Sequence, residues 1–184
     1  MGGGAEEQPR LVPDVRVRRL RLDSEDDKTL CEGFDCGQEE WEHQVSDFII
    51  RKIWLPGRDP EHTLVAIEAE AGALLGFGAW KHQTVELPQR PEPVAVVRVC
   101  YFGVALEFKG AVDADGHKWA SRLYSTLEDD ARAHESSTPD MPFELFCDRR
   151  NERGLRFWTS EARAFEVIGP GALELLRLVR VPPT

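Results

Sequence analysis

Val94-Ala95-Val96-Val97-Arg98-Val99-Cys100-Tyr101-Phe102-Gly103-Val104-Ala105-Leu106 is the longest nearly apolar run of the chain, interrupted only by Arg98. Unbroken apolar character, rather than alternation, marks a strand covered on both faces. The run therefore predicts a central strand; a membrane span would need about 20 such residues. A small-residue loop, Gly110 to Gly116, follows it. Ala120, Leu123, Tyr124, Leu127 and Ala131 then recur at helical spacing, to about His134. A buried strand that feeds a glycine-bearing loop at a helix start leaves backbone N–H groups free, and these suit a phosphate. Glycine also serves ordinary turns, so the loop alone does not decide the matter.

Working outward, Val15 and Val17 alternate with Arg16 and Arg18 as in a half-buried strand, and the phase shift to Leu20 and Leu22 after Arg19 predicts a bulge. Ser24 followed by Glu25, Asp26 and Asp27 is a helix start, a capping hydroxyl with acids at the positive end of the dipole. Trp41, Val45, Phe48, Ile49 and Ile53 place an amphipathic helix over Gln38–Trp54, ended by Pro56, Gly57 and Pro60. Thr63–Ala69 and Leu74–Trp80 read as a hairpin around Gly72, and Pro88, Pro91 and Pro93 as a loop. Beyond the central unit come a strand Phe143–Cys147, a helix Asn151–Ser160 and a strand Ala164–Ile168. Leu173–Val181 fits a last strand, though its spacing also allows a helix. The order β-α-α-β-β-β-α-β-α-β-β predicts an α+β fold around one mixed, mostly antiparallel sheet with helices on both faces. Residues 1–12 are expected to be a flexible tail and 13–184 a single domain.

The chain has 184 residues, with 23 basic and 33 acidic side chains for a net charge of −10. The excess lies wholly in residues 23–70, which carry fourteen acids and four bases. A nucleic-acid binder needs the opposite sign on its contact face, so the sum makes such a partner unlikely and favours a cationic one. Cys31, Cys36, Cys100 and Cys147 lack CxxC spacing and read as reduced, mostly buried thiols. Cys31, Cys36 and His43 lack the second pair of a tetrahedral zinc site, so no metal is expected. With no secretion or acylation signal at the start, the expected location is the cytoplasm.

Three passages resemble the GNAT superfamily of acyl-CoA N-acyltransferases. Phe34-Asp35-Cys36-Gly37, with Trp41 and Phe48 and then Leu64-Val65-Ala66, is similar to the opening of many bacterial members, acetyltransferase toxins among them. Phe102-Gly103-Val104 and Phe108-Lys109-Gly110 look like the fourth strand running into the pyrophosphate loop. Asn151 with Phe157-Trp158 looks like the family's "N-x-x-A-x-x-F-Y" helix. Together they cover roughly residues 14–170 in the family's element order.

The resemblance implies acetyl-CoA as co-substrate, lying where the fourth strand splays from the fifth. Backbone groups of Gly103, Val104 and Ala105 would hold the pantetheine arm and polarise the thioester carbonyl. Lys109, Gly110, Gly116, His117 and Lys118 would hold the diphosphate, and Asn151 and Trp158 the cofactor arm. An amine would then attack directly once a base had removed its proton.

The chain departs from the family pattern in three places. The loop Lys109–Lys118 is about four residues longer and carries Asp113 and Asp115, of the wrong sign beside a diphosphate unless turned away. Trp158 replaces the tyrosine that serves as acid, and Arg98 replaces a fourth-strand glutamate used as base. Substitute acids are Tyr101 and Tyr124; substitute bases are Glu68, Glu70, Glu86 and His82. Each also reads as a core aromatic, a solvated acid or an ordinary histidine.

The acids from Glu25 to Asp47 would wall the acceptor side of such a fold. They point to a small cationic amine or a basic peptide, or to a merely solvated face. A tRNA-acetylating toxin is suggested by the Phe34–Gly37 opening and opposed by the charge there. A catalytically degenerate relative that binds a ligand or partner is the alternative, and a homodimer is compatible with the pattern.

Overall fold

Seven strands and four α-helices make up the fold in a computed structural model that describes residues 11, 15–55, 61–70, 72–88, 90–172 and 174–182. In chain order they are β1 (Val15–Arg19), α1 (Glu25–Cys31), α2 (Glu40–Ile50), β2 (Thr63–Ala69), β3 (Leu74–Val85), β4 (Val94–Val104), α3 (Trp119–Arg132), β5 (Phe143–Asp148), α4 (Glu152–Trp158), β6 (Glu166–Pro170) and β7 (Leu175–Arg180). One sheet holds them in the order β1-β2-β3-β4-β5-β7-β6. Among the described strand pairs of this sheet, only β4–β5 is parallel. This is the mixed α+β arrangement expected from the sequence.

Local chemistry explains where the helices begin. Ser24 caps α1 by accepting the Asp27 N–H. No short hydroxyl side chain stands before α2; Glu39 and Glu42 instead cap it reciprocally, each side chain accepting from the other's backbone. Gly37, with φ +133°, turns the chain toward this helix. Helix α2 buries Phe48 and Ile49, and the helix expected over Gln38–Trp54 breaks at Arg51 into a separate 3₁₀ turn, Lys52–Trp54. The expected stops Pro56, Gly57 and Pro60, Leu173, and the expected tail over 1–12 lie outside the described residues, apart from Leu11, which bridges to Val112.

Helices α1 and α2 pack on one face of β2–β4, where Phe34 and Phe48 meet Phe77. Helix α3 covers the other face with Leu123, Tyr124, Leu127 and Ala131 buried. Gly103 is required by this packing, since a Cβ there would lie 2.7 Å from Val45 and 3.2 Å from the Cys36 sulfur.

The bulge expected after Arg19 is absent. β1 pairs with β2 in unbroken register to Arg19, then ends, and Leu20 follows with its N–H on the Leu64 carbonyl. The phase change is thus a strand end. The register slips elsewhere, notably between Ala79 and Trp80, where Cys100 is the extra residue on β4. All four cysteines are free, and Cys31, Cys36 and Cys147 are buried. No helix among the described residues is long and apolar enough to cross a membrane.

Candidate functional site

β4 and β5 are laddered only at Val97–Phe143, Arg98–Glu144 and Val99–Leu145. Beyond these pairs β4 continues to Val104 beside β3, and β5 to Asp148 beside β7. The two strands therefore diverge, and a cavity of about 900 Å³ occupies the gap. Its floor is Val99–Val104 and Leu145–Asp148. Its walls come from α2 (Trp41, Val45), the Phe108–Ala111 turn, the start of α3 and α4.

Alternation along β4 decides which backbone groups face this gap. The Ala105 N–H bonds to Leu75 of β3, so Gly103 and Tyr101 also face β3, while Phe102 and Val104 face the gap. The α1–α2 loop takes part of this open edge. Its Asp35 carbonyl accepts from Leu106 (2.7 Å), and the Cys36 thiol sits against the Val104 N–H. Of the backbone amides near Val104 expected to meet a thioester carbonyl, that of Phe102, two residues back, is the one that faces the gap clear of this loop. Gly103 and Val104 line the cavity; Ala105 does not.

The loop after β4 is built around Asp113, which is 3% exposed. Its carboxylate accepts from the N–H groups of Asp115 (3.0 Å) and His117 (2.8 Å) and from Arg122 (3.0 Å). Burial opposes its ionisation, but these three donors outweigh it and hold the carboxyl below its usual range. Asp113 therefore points away from the cavity and organises the loop from behind. Lys109, Gly110 and Lys118 line the cavity, whereas Gly116 and His117, expected to touch a diphosphate, do not. Both sit in the exposed turn around Asp113, where Gly116 takes φ +81°. Lys109 is itself neutralised by an ion pair with Glu42. Burial raises the Glu42 carboxyl, but Lys109 and the Glu39 amide more than offset this and lower it.

The acid and base candidates separate cleanly. Tyr101 lines the cavity, its ring stacked on Phe48 at 3.7 Å. Tyr124 lies behind Trp158 (ring centroids 5.3 Å) and outside the cavity lining. Its hydroxyl leans toward Glu128 without a well-formed hydrogen bond, and burial raises its pKa. Glu68 is bound to Arg18 (2.8 Å) two strands from the gap, and Glu70 is exposed just past β2. Glu86 is exposed past the far end of β3, and His82 rests near that end against Ser137 and His134. None of these four lines the cavity. Arg98 is ion-paired with Glu144. Trp158 and Asn151 do line the cavity; Asn151 also caps α4 by accepting the Gly154 N–H.

Several cavity residues escaped the sequence reading: Trp41 as a wall, Cys100, Ser121, Arg150, Arg153, Arg156 and Arg163. Arg150 bridges β5 and α2 at the cavity, pairing with Asp148 (2.7 Å) and with Glu40 of α2 (3.0 Å) above the Trp41 ring. The acidic wall is thus partly neutralised: Glu40 holds Arg150, Glu42 holds Lys109, and Asp47 holds Arg51 and Lys52. Lys118, Arg153 and Arg156 at the cavity form no ion pair among the described residues. The whole-chain charge sum concealed this local excess of cations. Only Trp41 had left a sequence signal, on the amphipathic face of α2. Among the described residues, Asp113, Asp115 and His117 are the one group close enough to share a metal ion, and hydrogen bonds already occupy Asp113.

No protein-family model matches the chain, and no curated protein matches it. Solved structures do. A structure described as a bacterial toxin aligns with TM-score 0.66 at 15% identity, over 92% of this chain and 91% of its own. A Tyr-to-Phe mutant of the toxin AtaT, bound to the C-terminus of the antitoxin AtaR and acetyl-CoA, aligns with TM-score 0.63 at 16% identity, covering 91% and 93%. AtaT complexed with acetyl-methionyl-tRNAfMet aligns with TM-score 0.60 at 15% identity, covering 89% and 94%. The likeness establishes a shared GNAT-like fold.

Proposed function

We propose that this chain is an acyl-CoA-dependent N-acyltransferase, working in the cytoplasm as one unit over residues 13–184 and moving an acetyl group from acetyl-CoA to a primary amine. The divergence of β4 from β5, which turns the Phe102 N–H toward the gap with no β5 partner among the described residues, carries this reading. A cleft of about 900 Å³ is of the size that takes a cofactor-like ligand. The bound acetyl-CoA of an AtaT structure with this fold supports the same choice of co-substrate.

In this reading the neutral amine attacks the thioester carbonyl carbon and the C–S bond breaks. The Phe102 N–H donates to the oxygen on which charge develops; such a donor typically contributes about 100-fold or more in rate. Tyr101, held by Phe48, gives its proton to the departing thiolate. Asp148 is too weak a base for the amine near neutral pH, since its hydrogen bonds to Arg150, against a smaller effect of burial, hold its pKa down. The ammonium therefore loses its first proton to solvent before attack, and the second, shed by nitrogen as the amide forms, restores the Tyr101 phenol.

For the acceptor, two observations favour the aminoacyl end of a tRNA over the small cationic amine or basic peptide expected from the charge sum. One is the AtaT complex with acetyl-methionyl-tRNAfMet. The other is the pair of cations that α4 brings to the cavity, Arg153 and Arg156, without ion-pair partners among the described residues. The degenerate alternative draws its support from Trp158.

The test is thermal stability with acetyl-CoA, followed by thiol release with aminoacyl-tRNA and with small amines. At about 100 times its Kd the ligand adds roughly 2.7 kcal/mol, or about 5–11 °C for a domain of this size. No shift at large excess overturns the acyl-CoA reading. A shift without thiol release from any acceptor supports the degenerate one.

A further inference from the structure

We propose that Arg163, with Lys118 and Ser121, forms an anion subsite at the start of α3 that holds phosphate groups of acyl-CoA in place of the loop cation Lys109. The proposal rests on the acyl-CoA reading and assigns the charge that the reading requires. The cations around the start of α3 are mostly spent. Lys109 is paired with Glu42, Arg122 with Asp113, and the His117 ring lies 3.7 Å from Asp113. Of the cations at this end of the cavity, Lys118 and Arg163 have no carboxylate partner among the described residues, as is true of Arg153 and Arg156 on α4.

Arg163 comes from a turn that only the tertiary fold brings near α3. The turn closes through the Arg163 N–H to Ser160 (2.9 Å), and Ala164 adopts φ +52° to complete it. The guanidinium lies 3.7 Å from the Phe157 ring centroid, which fixes its plane. One terminal nitrogen donates to Ser121 Oγ (2.6 Å) and the other to Ser160 Oγ (2.9 Å). Its Nε is buried with no acceptor. Burial lowers its pKa from the ordinary arginine value, with no carboxylate to compensate. A half-buried guanidinium held by two hydroxyls and a ring is costly until an anion joins it.

The hydroxyls have different duties. Ser160 donates its proton to the Phe157 carbonyl (2.9 Å). Ser121 accepts from Arg163, and its own proton remains available to an anion in the cavity. A planar guanidinium, an ammonium and a hydroxyl at the positive end of a fourteen-residue helix match a phosphate. The diphosphate and the 3′-phosphate of CoA share that chemistry.

Isothermal titration of the full chain with CoA, dephospho-CoA and pantetheine tests this, each variant first checked by its melting curve. Arg163→Gln is expected to weaken CoA about 10- to 100-fold, the range for losing charge-assisted hydrogen bonds, and to leave pantetheine unchanged. Arg163→Lys recovers part of the loss, and the milder Ser121→Ala costs roughly 3- to 10-fold. A penalty kept with dephospho-CoA assigns the diphosphate; one that vanishes assigns the 3′-phosphate. If the wild type binds CoA and both Arg163→Gln and the Lys118→Gln/Arg163→Gln pair bind it equally well, the subsite is overturned and the acyl-CoA reading stands. If the wild type binds no CoA, the reading itself fails and the subsite with it.

Discussion

Replacing Glu144 by Gln removes the anion that pins β4, β5 and β7 together just below the gap. Glu144 is fully buried. It accepts from Arg98 Nε (2.6 Å) and Nη2 (2.5 Å) at one oxygen and from Arg177 Nε (2.6 Å) at the other. Breaking a buried ion pair from one side costs about 3–5 kcal/mol, because the remaining charge loses its partner. Here two arginines lose theirs, yet their side chains keep 23% and 21% exposure and so recover some hydration. Water access lowers the expected loss to about 2–4 kcal/mol, or roughly 4–16 °C in Tm at this chain length. Urea unfolding measures it directly, with an unchanged slope showing that the unfolded state is not the source. Exchanging all three residues for Met and Leu is expected to be nearly neutral, since apolar replacement of a buried triad removes its desolvation cost as well. A Glu144→Gln loss below about 0.5 kcal/mol would refute the reasoning, because the triad would then be no more than a surface pair.

Tyr101→Phe is expected to lower kcat by about 100-fold with little change in KM, the range for loss of a general acid; Tyr124→Phe should leave kcat unchanged. Steady-state kinetics on the pair separates the phenol in the cavity from the one behind Trp158. His82 carries a pH effect: burial, then His134, lowers its pKa from 6.5. Between the folded and unfolded values the unfolded chain binds the extra proton, so this stabilisation is present above pH 6.5 and is lost as the pH falls. Urea midpoints of His82→Gln against pH should therefore decline less steeply below pH 6.5 than those of the wild type. Gly103→Ala is expected to lower stability by about 1–3 kcal/mol, the usual cost of overpacking, as its methyl meets Val45 and Cys36; an unchanged urea midpoint would show that α2 shifts freely.

Much of the architecture was legible because its signals are local. The apolar run from Val94, the periodicity of Leu123 to Ala131 and the cap at Ser24 each depend on neighbours within one element, so strand order along the chain and the α+β class followed. The misreadings share a cause. The phase change after Arg19 looked like a bulge because pattern alone cannot distinguish a strand end from an inserted residue, while the real slip at Cys100 lies inside an unbroken apolar run. Glu68, Glu86 and His82 qualified by residue type, and the sheet then placed them away from the gap.

The amino-acid order by itself thus determined which segments are strands and helices, and that a glycine-bearing loop joins the central strand to α3. What only the tertiary structure decided is where charge and free backbone groups end up. Asp113 turned inward, Lys109 was captured by Glu42, Arg163 arrived beside Ser121 from forty-two residues away, and the divergence of β4 from β5 left the Phe102 amide without a partner on β5. Periodicity is short-range, whereas charge pairing and hydrogen-bond satisfaction depend on distances through space, which the folded sheet alone sets.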